Sequence, residues 1–264
     1  MKISLLPGWG LGVAPLQPLA DSLSHCGECH VCAKGLAPEK TCPFCRGQAP
    51  SYKKLLSHRH EVQLLPIPEC TSLEQALNEL DAQIPADSWL IGWSLGGMLA
   101  TALAHRRGNS CPGLITLASN ACFVARDDWP HAMPEREFKN FSRLVARDWT
   151  STLKGFQQLC MHGSETQTVP AEMSASVSAD VEASLSWLAQ LDNRAAIAEL
   201  QCRQLHVLAT ADALVPATVA QDLQRLNPQV QVHSWPGSHA FVLVDHSELA
   251  TVVDAFMRAD VAND

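Results

Sequence analysis

The sequence lacks an excess of positive charge, a long uninterrupted apolar run and any periodic use of glycine. Its formal net charge is −8, so we expect no general attraction to nucleic acid or to an anionic membrane surface. No apolar run approaches the roughly 20 residues of a membrane-spanning helix, and Pro7 and Gly8 interrupt the first apolar stretch too early for a signal peptide. A hydrophobic content of 47% over 264 residues is too high for a disordered chain. We therefore expect a cytoplasmic, monomeric protein with one substantial core.

Short apolar segments alternate with segments of helical periodicity along most of the chain. The predicted strands are residues 3–6, 61–66, 89–93, 114–118, 205–209 and 230–235. A capping box formed by Thr71 and Glu74 predicts the start of one helix, and a last helix is expected over residues 247–257. This alternation is typical of an α/β fold, with a mostly parallel sheet between layers of helices.

Two segments interrupt that alternation. Residues from about 120 to 190 contain no strand pattern, but they carry large apolar residues at helical spacing from Phe138 to Phe156. A helical excursion between two strands is placed to cover the carboxyl ends of the strands, so we expect a lid that contacts ligand while also closing the core. The second segment, residues 26–57, is a small insert rich in cysteine.

A G-x-S-x-G motif stands at Gly92–Gly96, with Ser94 at its centre. It follows a predicted buried strand and precedes a predicted helix, which is the setting of a nucleophile elbow. Glycines at both ends permit the tight turn that exposes the serine hydroxyl. Ser94 is therefore the predicted nucleophile.

A serine hydroxyl needs a base to take its proton, and in α/β-hydrolases the acid and then the histidine follow the serine in the chain. Asp212 and His239 each come just after a predicted strand, on the same edge of the sheet as Ser94. Of the eleven histidines only His239 has that order and that edge. Asp245 and Asp192 are weaker candidates for the acid.

The developing oxyanion requires preorganised donors. The backbone N–H of Leu95, directly after the nucleophile, is one predicted donor. The other should come from the loop after the first strand, where Trp9 is the predicted donor and its indole is expected to wall the acyl pocket.

Five segments together resemble the pimeloyl-[acyl-carrier protein] methyl ester esterases of biotin synthesis, which have the α/β-hydrolase fold. They are LLPGWGL at 5–11, GWSLGG at 92–97, ASNACFVARDDW at 118–129, FQQLCMHGSET at 156–166 and DALVP at 212–216. The resemblance covers the chain except residues 26–57. It implies hydrolysis of the methyl ester on a pimeloyl chain carried by acyl-carrier protein, with no catalytic cofactor, and with Ser94, Asp212 and His239 as the triad.

The same resemblance implies a substrate channel. Its lining is expected to include the triad residues Ser94 and His239 together with Trp9, Leu95, Phe156, Gln157, Gln158, Leu159 and Cys160. The lid arginines that the family presents to the carrier protein are mostly replaced here. Arg143, Arg147 and Lys154 are the candidates to take their place.

The cysteines of the insert have the spacing of a zinc knuckle: Cys26-x2-Cys29, twelve residues, then Cys42-x2-Cys45. His30 and Cys32 are alternative ligands. Four thiolates would fill a tetrahedral site, so the zinc is expected to be structural; an iron–sulfur cluster or disulfides are the other possibilities.

Three functions are compatible with these features. The first is the carrier-protein esterase. The second is a general carboxylesterase or lactonase acting on free small molecules, which the reduced lid basicity favours. The third is a binding or regulatory protein that uses the zinc insert on a hydrolase scaffold, although a scaffold needs no complete triad.

Overall fold

Six parallel strands form one sheet in the computed structural model, which describes residues 1–25, 60–165, 169–170, 173 and 181–259. The strands are β1 (Lys2–Leu6), β2 (Glu61–Leu64), β3 (Ser88–Trp93), β4 (Gly113–Leu117), β5 (Arg203–Ala209) and β6 (Gln231–Trp235). Their order across the sheet is β2-β1-β3-β4-β5-β6, and every neighbouring pair is parallel. Successive strands are therefore added toward one edge of the sheet from β1 to β2 and toward the other edge from β3 onward. Ligands of such sheets bind at the carboxyl ends of the strands beside this switch point, between β1 and β3.

Ten α-helices accompany the strands in the described part of the chain. They are α1 (Gln17–Ser24), α2 (Leu73–Gln83), α3 (Leu95–Arg107), α4 (Glu135–Arg147), α5 (Trp149–Met161), α6 (Val181–Gln190), α7 (Arg194–Glu199), α8 (Val219–Leu226), α9 (Phe241–Val244) and α10 (His246–Arg258). Every residue of β3 is buried, as is most of α3, which follows it. The core is thus centred where β3 passes into α3. No helix among the described residues is long and apolar enough to cross a membrane.

The predicted strands are all present, with small differences at their ends that have local causes. β2 ends at Leu64, before Pro66, which has no N–H to donate to a neighbouring strand. β4 ends at Leu117 because Ala118 has a left-handed backbone, with φ of +46°.

The predicted helix cap at Thr71 is wrong by one residue. The sequence TSLEQ contains two overlapping capping patterns, and α2 uses the second. Ser72 is the N-cap, and its Oγ accepts a hydrogen bond of 3.1 Å from the backbone N–H of Gln75. The helix begins at Leu73, so only Ser72 has the correct spacing to its third residue.

The apolar series that predicted a lid belongs to two helices, α4 and α5, which we call the lid helices. Asp148 separates them and caps α5, because its side chain accepts a hydrogen bond of 3.1 Å from the N–H of Ser151. Phe138, Leu153 and Phe156 are buried. The described residues between 120 and 190 contain isolated bridges but no strand.

Candidate active site

Ser94 lies on a sharp turn between β3 and α3. Its backbone has φ of 55° and ψ of −119°, a conformation that is strained for any residue with a side chain. The flanking glycines make this turn possible. A Cβ on Gly92 would lie 2.2 Å from the backbone of Gly96, and a Cβ on Gly96 would lie 2.4 Å from the carbonyl oxygen of Leu6. The G-x-S-x-G spacing is thus required by close packing of backbone against backbone.

His239 and Asp212 form a hydrogen-bonded pair at the same edge of the sheet. Asp212 follows β5 and His239 follows β6. Nδ1 of His239 lies 2.8 Å from Oδ2 of Asp212, and both side chains are almost fully buried. Oδ1 of Asp212 accepts two backbone hydrogen bonds, from Leu214 at 2.8 Å and from Val215 at 2.9 Å. The carboxylate is therefore fixed in orientation, with one oxygen facing the imidazole.

The two weaker candidates for the acid have other partners. Both oxygens of Asp192 accept hydrogen bonds from Arg194, at 2.8 and 2.7 Å. The ion pair with Arg194 holds the pKa of Asp192 well below its usual range. Asp245 Oδ2 accepts a hydrogen bond from the indole of Trp235. Of the three carboxylates, Asp212 is the one that contacts His239.

The second nitrogen of His239, Nε2, is buried and has no hydrogen-bond partner among the described residues. A buried polar atom without a partner needs an explanation, and the predicted role of His239 as a base would provide one. The loop that carries His239 is joined to the end of β3, because the indole N–H of Trp93 donates a 3.0 Å hydrogen bond to the carbonyl oxygen of His239. Trp93 directly precedes Ser94, so this contact joins the strand before Ser94 to the loop of His239. Sequence reasoning missed it, although Trp93 stands within the motif.

The loop after β1 lies close to Ser94. A Cβ on Gly8 would lie 3.5 Å from Cβ of Ser94, at ordinary contact distance. The N–H of Leu95 is at the first position of α3, where helix N–H groups have no acceptor within the helix. These placements agree with the expected oxyanion donors at Trp9 and Leu95, whose role stays a prediction.

The indole of Trp9 is fully buried beneath the lid helices. Its rings meet those of Phe141, Trp149 and Phe156 edge-on at centroid distances of 5.1 to 5.4 Å. Its Nε1–H donates a 3.1 Å hydrogen bond to the carbonyl oxygen of Val181. Trp9 therefore anchors the lid helices to the loop that contacts Ser94.

The predicted channel segment 156–160 divides between two faces of α5. Phe156 and Cys160 point inward and are buried, whereas Gln158 and Leu159 are exposed. The side chain of Gln157 donates a hydrogen bond to the carbonyl oxygen of Met173. Burial and the nearby charge of Asp212 raise the pKa of the Cys160 thiol, so that it stays protonated. Whether these residues contact substrate stays a prediction.

The predicted zinc ligands, from Cys26 to Cys45, lie outside the described residues. Within the described residues, no group of three or more His, Cys, Asp or Glu side chains could hold a metal ion.

Comparison with known proteins gives the family. A model of the alpha/beta hydrolase fold matches residues 57–247. The pimeloyl-[acyl-carrier protein] methyl ester esterase of Serratia marcescens is 32% identical over 205 residues, which cover 71% of this chain and 77% of that protein. The chain belongs to this family of α/β-hydrolase esterases. The resemblance and the fold predicted from the sequence are thereby confirmed.

Other members of this esterase family are longer. The biotin biosynthesis bifunctional protein BioHC of Cellvibrio japonicus is 37% identical over 209 residues, which are 74% of this chain. The chain spans 42% of that protein and 41% of its counterpart from Teredinibacter turnerae.

Solved structures share the fold of this esterase family member at low sequence identity. A bromoperoxidase from Bacillus anthracis has a TM-score of 0.74 at 13% identity, over 97% of this chain and 91% of its own. An esterase from Exiguobacterium antarcticum has a TM-score of 0.71 at 14% identity, over 98% of this chain and 92% of its own. At these identities the likeness concerns the fold alone.

Proposed function

We propose that the chain is a serine carboxylesterase that hydrolyses the methyl ester of pimeloyl-[acyl-carrier protein]. The products are methanol and pimeloyl-[acyl-carrier protein], for use in biotin synthesis. The observation that carries the proposal is the His239–Asp212 pair, which stands with the Ser94 turn at one edge of the sheet. The names of the relatives supply the substrate.

In the proposed acylation step, Nε2 of His239 takes the proton of Ser94 while Oγ attacks the ester carbonyl. Asp212 keeps the other proton on Nδ1 and stabilises the imidazolium that forms. The N–H groups of Leu95 and Trp9 stabilise the oxyanion. The tetrahedral intermediate then expels methoxide, which receives the proton from His239 and leaves as methanol.

In the proposed deacylation step, water attacks the acyl-enzyme and His239 takes one of its protons. The second tetrahedral intermediate expels Ser94 Oγ, which recovers its proton from the imidazolium. The free pimeloyl carboxylate leaves on its carrier. Both steps use the same base and the same oxyanion donors, so one site is enough for the whole reaction.

The surface offered to the carrier protein is the outer face of the lid helices. Three basic residues, which we call the lid cations, are exposed there: Arg143, Arg147 and Lys154. The resemblance implies an acidic acyl-carrier protein as the partner. Charges at the rim of an interface, such as the lid cations, act mainly on encounter and orientation.

A second candidate function is hydrolysis of free small esters or lactones without a carrier. The observation that favours it is the composition of α5, in which Lys154 is the single charged residue. A lid helix with one charge offers few contacts to an acidic partner.

The test compares the wild type with Ser94→Ala on two substrates, the carrier-bound methyl ester and a short p-nitrophenyl ester. We expect the wild type to cleave both and Ser94→Ala to cleave neither while remaining folded. Complementation of a biotin-requiring strain that lacks its own esterase should follow the same pattern. Turnover of the small ester with no turnover of the carrier-bound ester would establish the second candidate instead.

A further inference from the structure

The carboxyl end of α5 and the residues just after it contact the loop that carries His239. Oγ of Ser164 lies 2.5 Å from Oγ of Ser238, which is buried. The backbone N–H of Ala240 donates a 3.1 Å hydrogen bond to the carbonyl oxygen of Cys160. Ser238 and Ala240 stand on either side of His239 in the chain. The lid therefore holds the backbone before and after the base.

The segment just after α5 packs against the loop that carries Asp212. Gly163 has a left-handed backbone, with φ of +94°, and a Cβ there would lie 2.5 Å from the carbonyl oxygen of Ala211 and 2.7 Å from its Cβ. Ala211 precedes Asp212, and its N–H donates a 2.9 Å hydrogen bond to the carbonyl oxygen of Gly237. The end of the lid, the acid loop and the histidine loop thus form one continuous set of contacts.

These contacts bear on the direction of His239 Nε2. That atom is buried without a partner among the described residues, so no hydrogen bond from Nε2 fixes the ring. Its aim depends on the Asp212 contact and on the loop backbone. A misplacement of about 1 Å in a reacting group can cost about 10²-fold in rate.

We propose that residues 160–164, which we call the clasp, position His239 for proton transfer. Gly163 and Ser164 are then positioning residues, because they act on the base through its loop. The inference rests on the proposed function for the identity of the reacting groups. If the clasp positions His239, the position of α5 affects the catalytic geometry. A partner that shifts the lid helices should then alter kcat as well as KM.

The first test removes the serine pair from either side. Ser164→Ala, Ser238→Ala and the double variant are assayed on a short p-nitrophenyl ester. We expect each single variant to lose about 10-fold or more in kcat with little change in KM. The double variant should lose little more than either single one, because the contact is already lost once either hydroxyl is removed. The double-mutant cycle separates this contact from the hydrogen bond that Ser238 Oγ accepts from the N–H of Ala240. Ser164→Thr, which keeps the hydroxyl, should restore most of the rate.

The second test compares two glycines of the same lid segment. Gly163→Ala forces the clasp away from Ala211, whereas Gly155→Ala places a Cβ that meets nothing within 4 Å. We expect Gly163→Ala to lower kcat and to move the limb of the pH–rate profile that reports His239. Gly155→Ala should leave both unchanged on the small ester. Thermal unfolding of each variant shows whether a lost rate reflects lost fold.

The proposal is overturned if Ser164→Ala and Ser238→Ala, as folded proteins, keep the wild-type kcat and pH profile. It is also overturned if every loss of rate equals the loss of folded protein. Failure of the proposed function has a different signature. If the wild type cleaves the small ester but not the carrier-bound one, the proposed substrate is wrong while the serine variants still decide the clasp. If Ser94→Ala keeps its activity, both proposals fail.

Discussion

The substitution Asp212→Asn tests the geometry of the acid and the base most directly. Oδ1 of Asp212 accepts hydrogen bonds from two backbone N–H groups, and Oδ2 faces Nδ1 of His239 at 2.8 Å. An asparagine in this place must present its oxygen to the two N–H donors, because its NH2 group cannot accept from them. The NH2 group then faces Nδ1 and can only donate to it.

The consequence is the wrong tautomer of His239. Nδ1 must become the acceptor, so the ring proton moves to Nε2, the atom that should take the proton of Ser94. A serine triad with that substitution loses about 10⁴-fold in kcat, or about 5.5 kcal/mol at about 1.36 kcal/mol for each factor of ten. We expect a loss of that order here, since the two N–H contacts leave the asparagine no alternative orientation.

The assay is kcat on a short p-nitrophenyl ester at neutral pH, with the fold checked by circular dichroism and thermal unfolding. Asp245→Asn is the matched control, because Asp245 contacts the indole of Trp235 rather than His239. We expect its kcat to stay near the wild-type value. A folded Asp212→Asn enzyme within about 10-fold of the wild type would refute the argument, and a large loss in Asp245→Asn would show that the acid was misassigned.

Four further changes have defined outcomes. Gly92→Ala should abolish folding or lower Tm strongly, since its Cβ would meet the backbone of Gly96 at 2.2 Å; soluble yield and Tm similar to the wild type would contradict this. Reversing the charges of the lid cations should raise KM for the carrier-bound ester at low salt and leave KM for the small ester unchanged. Equal effects on both KM values would mean that the carrier protein docks elsewhere. Burial lowers the pKa of His206 to about 4, below its unfolded value of about 6.5, so the unfolded state binds more protons between these values and stability should decrease as the pH is lowered through that interval. His206→Gln should remove part of that dependence in thermal melts, and identical pH profiles would oppose it. Metal analysis should find zinc in the fresh protein and less in Cys42→Ser, with kcat on a small ester nearly unchanged; metal-free wild type or a folded, inactive Cys42→Ser would count against a structural zinc.

The fold could be predicted from the sequence, and Ser94, Asp212 and His239 stand out as candidates, because their signals are local; the catalytic role of these three residues stays a prediction. A buried strand, a glycine pair and a helix surround Ser94, and each of these constraints acts over a few residues. Asp212 and His239 each follow an apolar strand, and parallel strands end at the same edge of a sheet. The capping error at Thr71 has the same origin, since two overlapping local patterns competed and only the first turn of the helix decides between them.

The sequence ranks Asp212 above Asp192 and Asp245 as the acid but does not eliminate either of them. Asp192, Asp212 and Asp245 differ in their partners, and those partners lie on other elements. Asp192 forms an ion pair with Arg194, and Asp245 accepts a hydrogen bond from the indole N–H of Trp235. Periodicity and motif spacing contain no information about such pairings, because each depends on how two loops meet above the sheet.

The clasp shows why a complete triad motif does not by itself specify a rate. Ser164 and Ser238 are 74 residues apart in the chain, and although Ser164 lies in the segment 156–166 that carries part of the family resemblance, no sequence pattern pairs the two. Their contact is polar and small, so it contributes little to the core, yet it joins the lid to the loop of the base. A sequence could keep Ser94, Asp212 and His239 and still lose the orientation of Nε2 through a change at Gly163. The residues that set the rate then include side chains that the reaction never touches, and they are found only where the folded lid meets the histidine loop.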